Sequence, residues 1–134
     1  MRPSRLAAFR AVIEALRRLD DNEGGQAVLP WAAREAQWAI EVLRTTPESG
    51  RPAMYRIVAE LMELSGWVAT DAGQHALAQR YLLAALHAAQ AAGDREHGAY
   101  ILALLGFNAS LAGQHREAVT ISSLPRLAFV TPRA

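Results

Sequence analysis

Ala72-Gly73-Gln74-His75-Ala76-Leu77-Ala78 returns forty residues later as Ala112-Gly113-Gln114-His115-Arg116-Glu117-Ala118, and Gly66-Trp67 returns at the same offset as Gly106-Phe107. Two separated motifs that share one offset mark an internal repeat. A period of this size means helical hairpins stacked in series, each unable to bury its apolar face without a neighbour. The fold expected is all-α, with about six helices in about three hairpins.

Pro52 opens the helix that carries Gly66, since proline is favoured in a first turn, and Met54, Ile57, Val58, Leu61, Leu64 and Val68 predict burial on more than one face. Gly73 is placed to end it in the left-handed conformation that glycine reaches at low cost. The next helix spans about Gln74 to Ala92, with Leu77, Tyr81, Ala85 and Ala88 on one stripe and Leu82, Leu86 and Ala89 on another. Gly93 closes it, and Asp94 caps a helix through Tyr100, Ile101, Leu104, Leu105 and Phe107 to Ala112. Gly113 is expected to repeat the stop of Gly73, with a sixth helix starting at Gln114.

Upstream, Ser4 is a fair cap for a first helix through Leu19, with Leu6, Phe9, Ile13, Leu16 and Leu19 at helical spacing. Asp20 to Gly25 concentrates turn formers and reads as a loop. Pro30 suits the first turn of a second helix to about Arg44, presenting Trp31, Trp38 and Val42 on one side with Ile40 and Leu43 adjoining. Thr45 to Gly50 breaks the chain again. Pro125 and Pro132 bracket a stretch without helical period, so the domain division expected is 1–121 for the helical repeat and 122–134 for an irregular tail.

A chain of 134 residues is one domain with room for a core. It has no cysteine, which excludes disulfides, thiolate metal sites and cysteine nucleophiles. It has no lysine either, every cation being arginine, which removes the phosphate-loop lysine and Schiff-base chemistry. No stretch has the apolar length of a membrane span or the apolar core of a signal peptide, and a cytoplasmic protein is expected. A formal net charge of +1 gives no general attraction to nucleic acid.

Gly66, Ala78, Leu82 and Ala85 stand at the spacing of the small-small-large-small signature of tetratricopeptide repeats, and Gly106 and Ala118 restart it. With Arg17-Arg18-Leu19-Asp20-Asp21, Gly24-Gly25, Ala59-Glu60-Leu61, Ser65-Gly66-Trp67, Asp71 to Tyr81 and Ala91 to Arg95, the chain resembles the C-terminal region of actinobacterial helix-turn-helix transcriptional regulators of the xenobiotic-response-element class. The resemblance covers about Arg5 to Val119. It implies a right-handed tetratricopeptide-like stack that senses a signal or mediates association. No helix-turn-helix pattern precedes the repeats, and family members continue with further helices where this chain has Ser122 to Ala134. A truncated or stand-alone relative is expected, and direct DNA binding is not carried over.

In such stacks the first helix of each hairpin lines the concave face. With Gly66 and Gly106 as matched positions, the groove-facing set is Glu60, Glu63, Trp67, Thr70 and Asp71, then Tyr100, Ala103, Phe107 and Ser110. Carboxylates beside aromatic rings suit a cationic or amphipathic peptide, because ring faces attract cations and carboxylates pair with them. The plainer reading of Trp67 and Phe107 is that they fill the interface between hairpins. Arg56, four residues before Glu60, is placed to pair with it.

His75, His87, His97 and His115 offer no pair at metal-ligand spacing, so no metal or cofactor is expected; His75 and His115 each serve the start of their own helix. No Ser/His/Asp constellation or nucleotide loop is present, and an enzyme is not expected. The expected function is a non-catalytic module that binds a protein, a peptide or a small signalling molecule, or pairs with itself. A homodimer is expected through the open last hairpin around Leu104, Leu111, Val119 and Ile121, unless the tail residues Leu124, Leu127, Phe129 and Val130 cover it. The alternative is direct nucleic-acid binding through Arg5, Arg10, Arg17, Arg18 and Arg51, or a regulator fragment without independent function.

Overall fold

The computed structural model describes residues 3–123, and it is helical throughout apart from short joints. The elements are α1 (Pro3–Glu23), α2 (Gly25–Thr45), a single 3-10 turn (Glu48–Gly50), α3 (Arg51–Asp71), α4 (His75–Ala91) and α5 (Arg95–Ser123). Each helix packs on the next in sequence, and α3 touches both α1 and α5, whereas α2 and α4 do not meet. Helices α1, α3 and α5 therefore form one layer, with α2 and α4 lying against it.

The joints after α3 and α4 are built alike. Gly73 and Gly93 have φ of 77° and 72°, the region that L side chains avoid. Gln74 N–H donates to the Ala69 carbonyl and Gly73 N–H to that of Thr70, while Asp94 N–H donates to Ala89 and Gly93 N–H to Gln90. This double bonding is the Schellman arrangement, which satisfies the last carbonyls of a helix and turns the chain back. Asp94 also caps α5, its Oδ1 accepting from the His97 N–H at 3.1 Å.

Close approach of α3 and α4 rests on the small positions. A Cβ on Gly66 would lie 2.6 Å from the Leu82 side chain. Leu82, Ala78 and Ala85 are fully buried around it, alongside Met54, Ile57, Leu61 and Val68 of α3. In α1 the buried residues are Phe9, Ile13 and Leu16, as the spacing predicts.

Five helices form among the described residues, not six. Gly113 is not a stop, because α5 continues through it to Ser123. A glycine inside a helix is unfavourable by only about 1 kcal/mol, so breaking there needs burial of the segment beyond. Gln114, His115, Arg116 and Glu117 are all exposed, so these four residues bring no burial that would reward a turn. The boundary expected at residue 122 thus falls inside α5, and the tail residues Leu124, Leu127, Phe129 and Val130 lie outside the described residues.

Further expectations are corrected near the N-terminus. The loop expected over Asp20 to Gly25 shrinks to Gly24 alone, at φ 86°, since α1 continues to Glu23 and α2 starts at Gly25. Gly25 sits so close to α3 that a Cβ would meet the Val68 carbonyl at 2.8 Å, and this contact, with buried Val28, holds the helix start five residues before Pro30. Ser4 likewise lies within the first turn of α1, not ahead of it. On α2 the buried face is Val28, Ala32, Ala36, Ala39, Val42 and Leu43, so Val42 turns inward while Trp31 and Trp38 face solvent.

The repeat glycines give opposite responses to the same substitution. Gly66→Ala forces a methyl into Leu82 and is expected to destabilise by about 1–3 kcal/mol. Gly106 has nothing within 4 Å of its would-be Cβ, so Gly106→Ala is expected to stabilise by up to about 1 kcal/mol. Thermal unfolding of the two variants checks this, and equal shifts would contradict the packing.

Candidate binding groove

A groove of about 300 Å3 crosses the layer of α1, α3 and α5, lined by Arg17, Asp20, Asp21, Glu63, Leu64, Trp67 and Tyr100. Three of the expected groove residues, Glu63, Trp67 and Tyr100, meet there. Glu63 lies at its base, only 6% exposed. Its Oε1 is 2.9 Å from His97 Nε2 and its Oε2 is 3.8 Å from an Arg17 guanidinium nitrogen. One buried carboxylate therefore ties α1, α3 and α5 together.

The hydrogen bond to Glu63 pushes the pKa of His97 above the ordinary 6.5, against the opposing effect of burial, and the charges of Glu63, Asp94 and Glu60 add to it. Asp20 is shifted above the usual carboxylate range by burial first, then by the negative charges of Asp71 and Asp21, with Arg17 opposing. Asp20, Asp21 and Asp71 have no ion-pair partner among the described residues. The α1 side of the groove thus carries two carboxylates without a direct ion pair, with the Arg17 cation beside them.

Trp67 stacks on Phe107, ring centres 6.2 Å apart and planes 25° from parallel, while both rings remain partly exposed. Tyr100, also exposed, lines the same groove as Trp67. Residues one repeat apart lie side by side a second time, since the rings of His75 and His115 are 6.4 Å apart. His115 lies within α5, so the helix-start role expected for it does not apply.

The other expected residues have different surroundings. Thr70 is buried; its Oγ1 lies 2.9 Å from the Gly66 carbonyl and 3.2 Å from Asn108 Oδ1. Glu60 is half-buried, Asp71 is exposed at the end of α3, and Ala103 and Ser110 are exposed on α5. Arg56 and Glu60 form no ion pair among the described residues, and Arg51 instead packs on the Tyr55 ring at 5.7 Å.

Two residues that hold polar contacts here had no such role assigned from the sequence: His97, weighed only as a metal ligand, and Asn108. Asn108 is buried on α5; its Nδ2 donates to the His75 carbonyl at 2.9 Å, and its Oδ1 lies 2.9 Å from His75 Nδ1. The amide orientation set by the first bond requires the proton on Nδ1 of His75. A polar Asn inside the apolar run of the fifth helix was the available signal.

Among the described residues no group of three or more His, Asp or Glu is placed to hold a metal ion, and no helix is long and apolar enough to cross a membrane. No protein-family model, curated protein or solved structure matches the chain.

A histidine whose pKa is raised on folding stabilises the fold fully below its unfolded value, and that contribution is lost as pH climbs through the folded value. The stability difference between the wild type and His97→Gln is expected to be largest below the unfolded value of 6.5 and to shrink above it. Urea unfolding at a series of pH values measures it. A difference that does not vary with pH would show that the Glu63–His97 contact is not ionic.

Proposed function

We propose that the chain is a non-catalytic, tetratricopeptide-like binding module whose groove takes a cationic side chain of a peptide or protein partner. The observation that carries this reading is the placing of Trp67 and Tyr100 against Asp20, Asp21 and Glu63 across one groove. An arginine or lysine side chain brings an apolar stem for the rings and a charge for the carboxylates, and its head can lie over a ring face. Glu63 already has His97 and Arg17 as partners, so Asp20 and Asp21, with Asp71 nearby, supply the attraction. Desolvation of Asp20 strengthens it, because charges interact more strongly where water is displaced.

The stack reading rests on the forty-residue period, the Gly66–Leu82 packing and the two matched Schellman joints. The regulator resemblance read from the sequence supports a role in association or signal sensing. Direct nucleic-acid binding has less behind it: Arg17 faces Glu63, Arg51 packs on Tyr55, and carboxylates border the one groove that Arg17 enters.

Titration with short amidated peptides carrying arginine, read by indole fluorescence and calorimetry, tests the proposal. Binding is expected for the cationic peptides and absent for isosteric glutamine versions, and it weakens with salt as exposed charge pairs are screened. Trp67→Ala and Asp21→Asn are each expected to weaken it by about three- to thirtyfold, in line with about 0.5–2 kcal/mol per contact. Equal affinity for neutral peptides would overturn the reading.

A further inference from the structure

Trp31 and Trp38 are 60% and 53% exposed on α2. Seven residues apart is two helical turns, so the indoles share one stripe with about 10 Å between them along the axis. The alanine-rich face of α2 makes the core contact, and both rings leave more than half of their surface in solvent. Leaving a large side chain in water forgoes the stabilisation that burial brings, and tryptophan is the residue most often found anchoring interfaces. Between them lie Arg34, exposed, and Glu35, half-buried, neither with an ion-pair partner among the described residues. Trp38 also borders a cleft of about 250 Å3 between α1 and α2, lined by Arg5, Ala8, Phe9, Val12 and Glu35.

The order of these four side chains identifies the occupant. Trp31-x-x-Arg34-Glu35-x-x-Trp38 is symmetric in its tryptophans and antisymmetric in its charges about the point between Arg34 and Glu35. That is the pattern a two-fold axis requires, since an isologous contact places residue i on j and j on i. With a second α2 antiparallel across that axis, Trp31 meets Trp38 of the second copy, Trp38 meets its Trp31, and each Arg34 meets a Glu35. The indole of Trp31 then arrives beside Trp38 at the mouth of the cleft. The geometry points to a homodimer formed by pairing of α2 with α2, in which the second copy supplies both the aromatic and the ionic complement. A partner of single charge would satisfy one of the two central residues and repel the other.

This surface is separate from the groove, which contains no α2 residue, and differs from the open end at α5 expected from the repeat. The dimer stands or falls without regard to the peptide reading.

Light scattering of the full chain over a range of concentrations tests it. Wild type is expected to show twice the chain mass at high concentration and to dissociate on dilution. Trp31→Ala, which removes no core contact, is expected to raise the dissociation constant at least about tenfold, as is Trp38→Ala. Arg34→Glu and Glu35→Arg each place like charges across the axis and weaken the dimer. The double variant restores the pairing and brings the constant back to within about threefold of wild type. The helical circular dichroism signal reports that each variant is folded. A monomer at every concentration, a dimer indifferent to Trp31→Ala, or a folded double variant without recovery would each overturn the proposal.

Discussion

Helix α3 is touched by all four other helices, so nearly every group it carries must find its partner within the protein. Its apolar residues do so by packing. Its polar residues have to be answered one by one, because a buried donor or acceptor left alone costs roughly 1–3 kcal/mol and a buried charge more. Ser65 and Thr70 return their hydroxyls to the carbonyls of Leu61 and Gly66, four residues back. Glu63 cannot be satisfied locally, and its carboxylate draws Arg17 from α1 and His97 from α5. The requirement that isolates α3 from water thereby fixes the two helices that flank it.

The groove follows from the same arrangement. With α1 and α5 held against α3, whatever these helices carry near Glu63 is gathered on one face: the aspartates that end α1, the indole of Trp67 and the ring of Tyr100. Apart from the neighbouring Asp20 and Asp21, they come from three separate stretches of the sequence. Their chemistry is collective, with Asp71 shifting Asp20 across the helix boundary and Phe107 supporting Trp67 from one repeat later.

Much of the fold was legible because its signals are local or periodic. Gly73, Gly93 and Asp94 announce their turns within a few residues, and Gly66 with Leu82 announces a close helix contact. The forty-residue offset also foretold that Trp67 and Phe107 occupy matching places, though only the structure brings the rings into contact. What stayed hidden depends on partners distant in the chain. The α2 start at Gly25 is held by Val68, and propensity alone favoured Pro30. Asn108 meets Thr70 and His75 at offsets of 38 and 33 residues, which do not belong to the period and leave no trace in a search for it. Of the groove, Glu63, Trp67 and Tyr100 could be placed from repeat geometry, whereas Asp20 and Asp21 could not, because they fell in a stretch read as loop.

Ala-Gly-Gln-His is written twice and folded two ways. At Ala72 to His75 it reverses the chain; at Ala112 to His115 it continues a helix. Identical residues with different backbones mean that the two conformations lie close in free energy and that burial of the following helix tips the balance. Such a segment is a ready point of growth. An apolar helix packed beyond it would convert Gly113 from passenger to corner, and the helical layers would gain a hairpin.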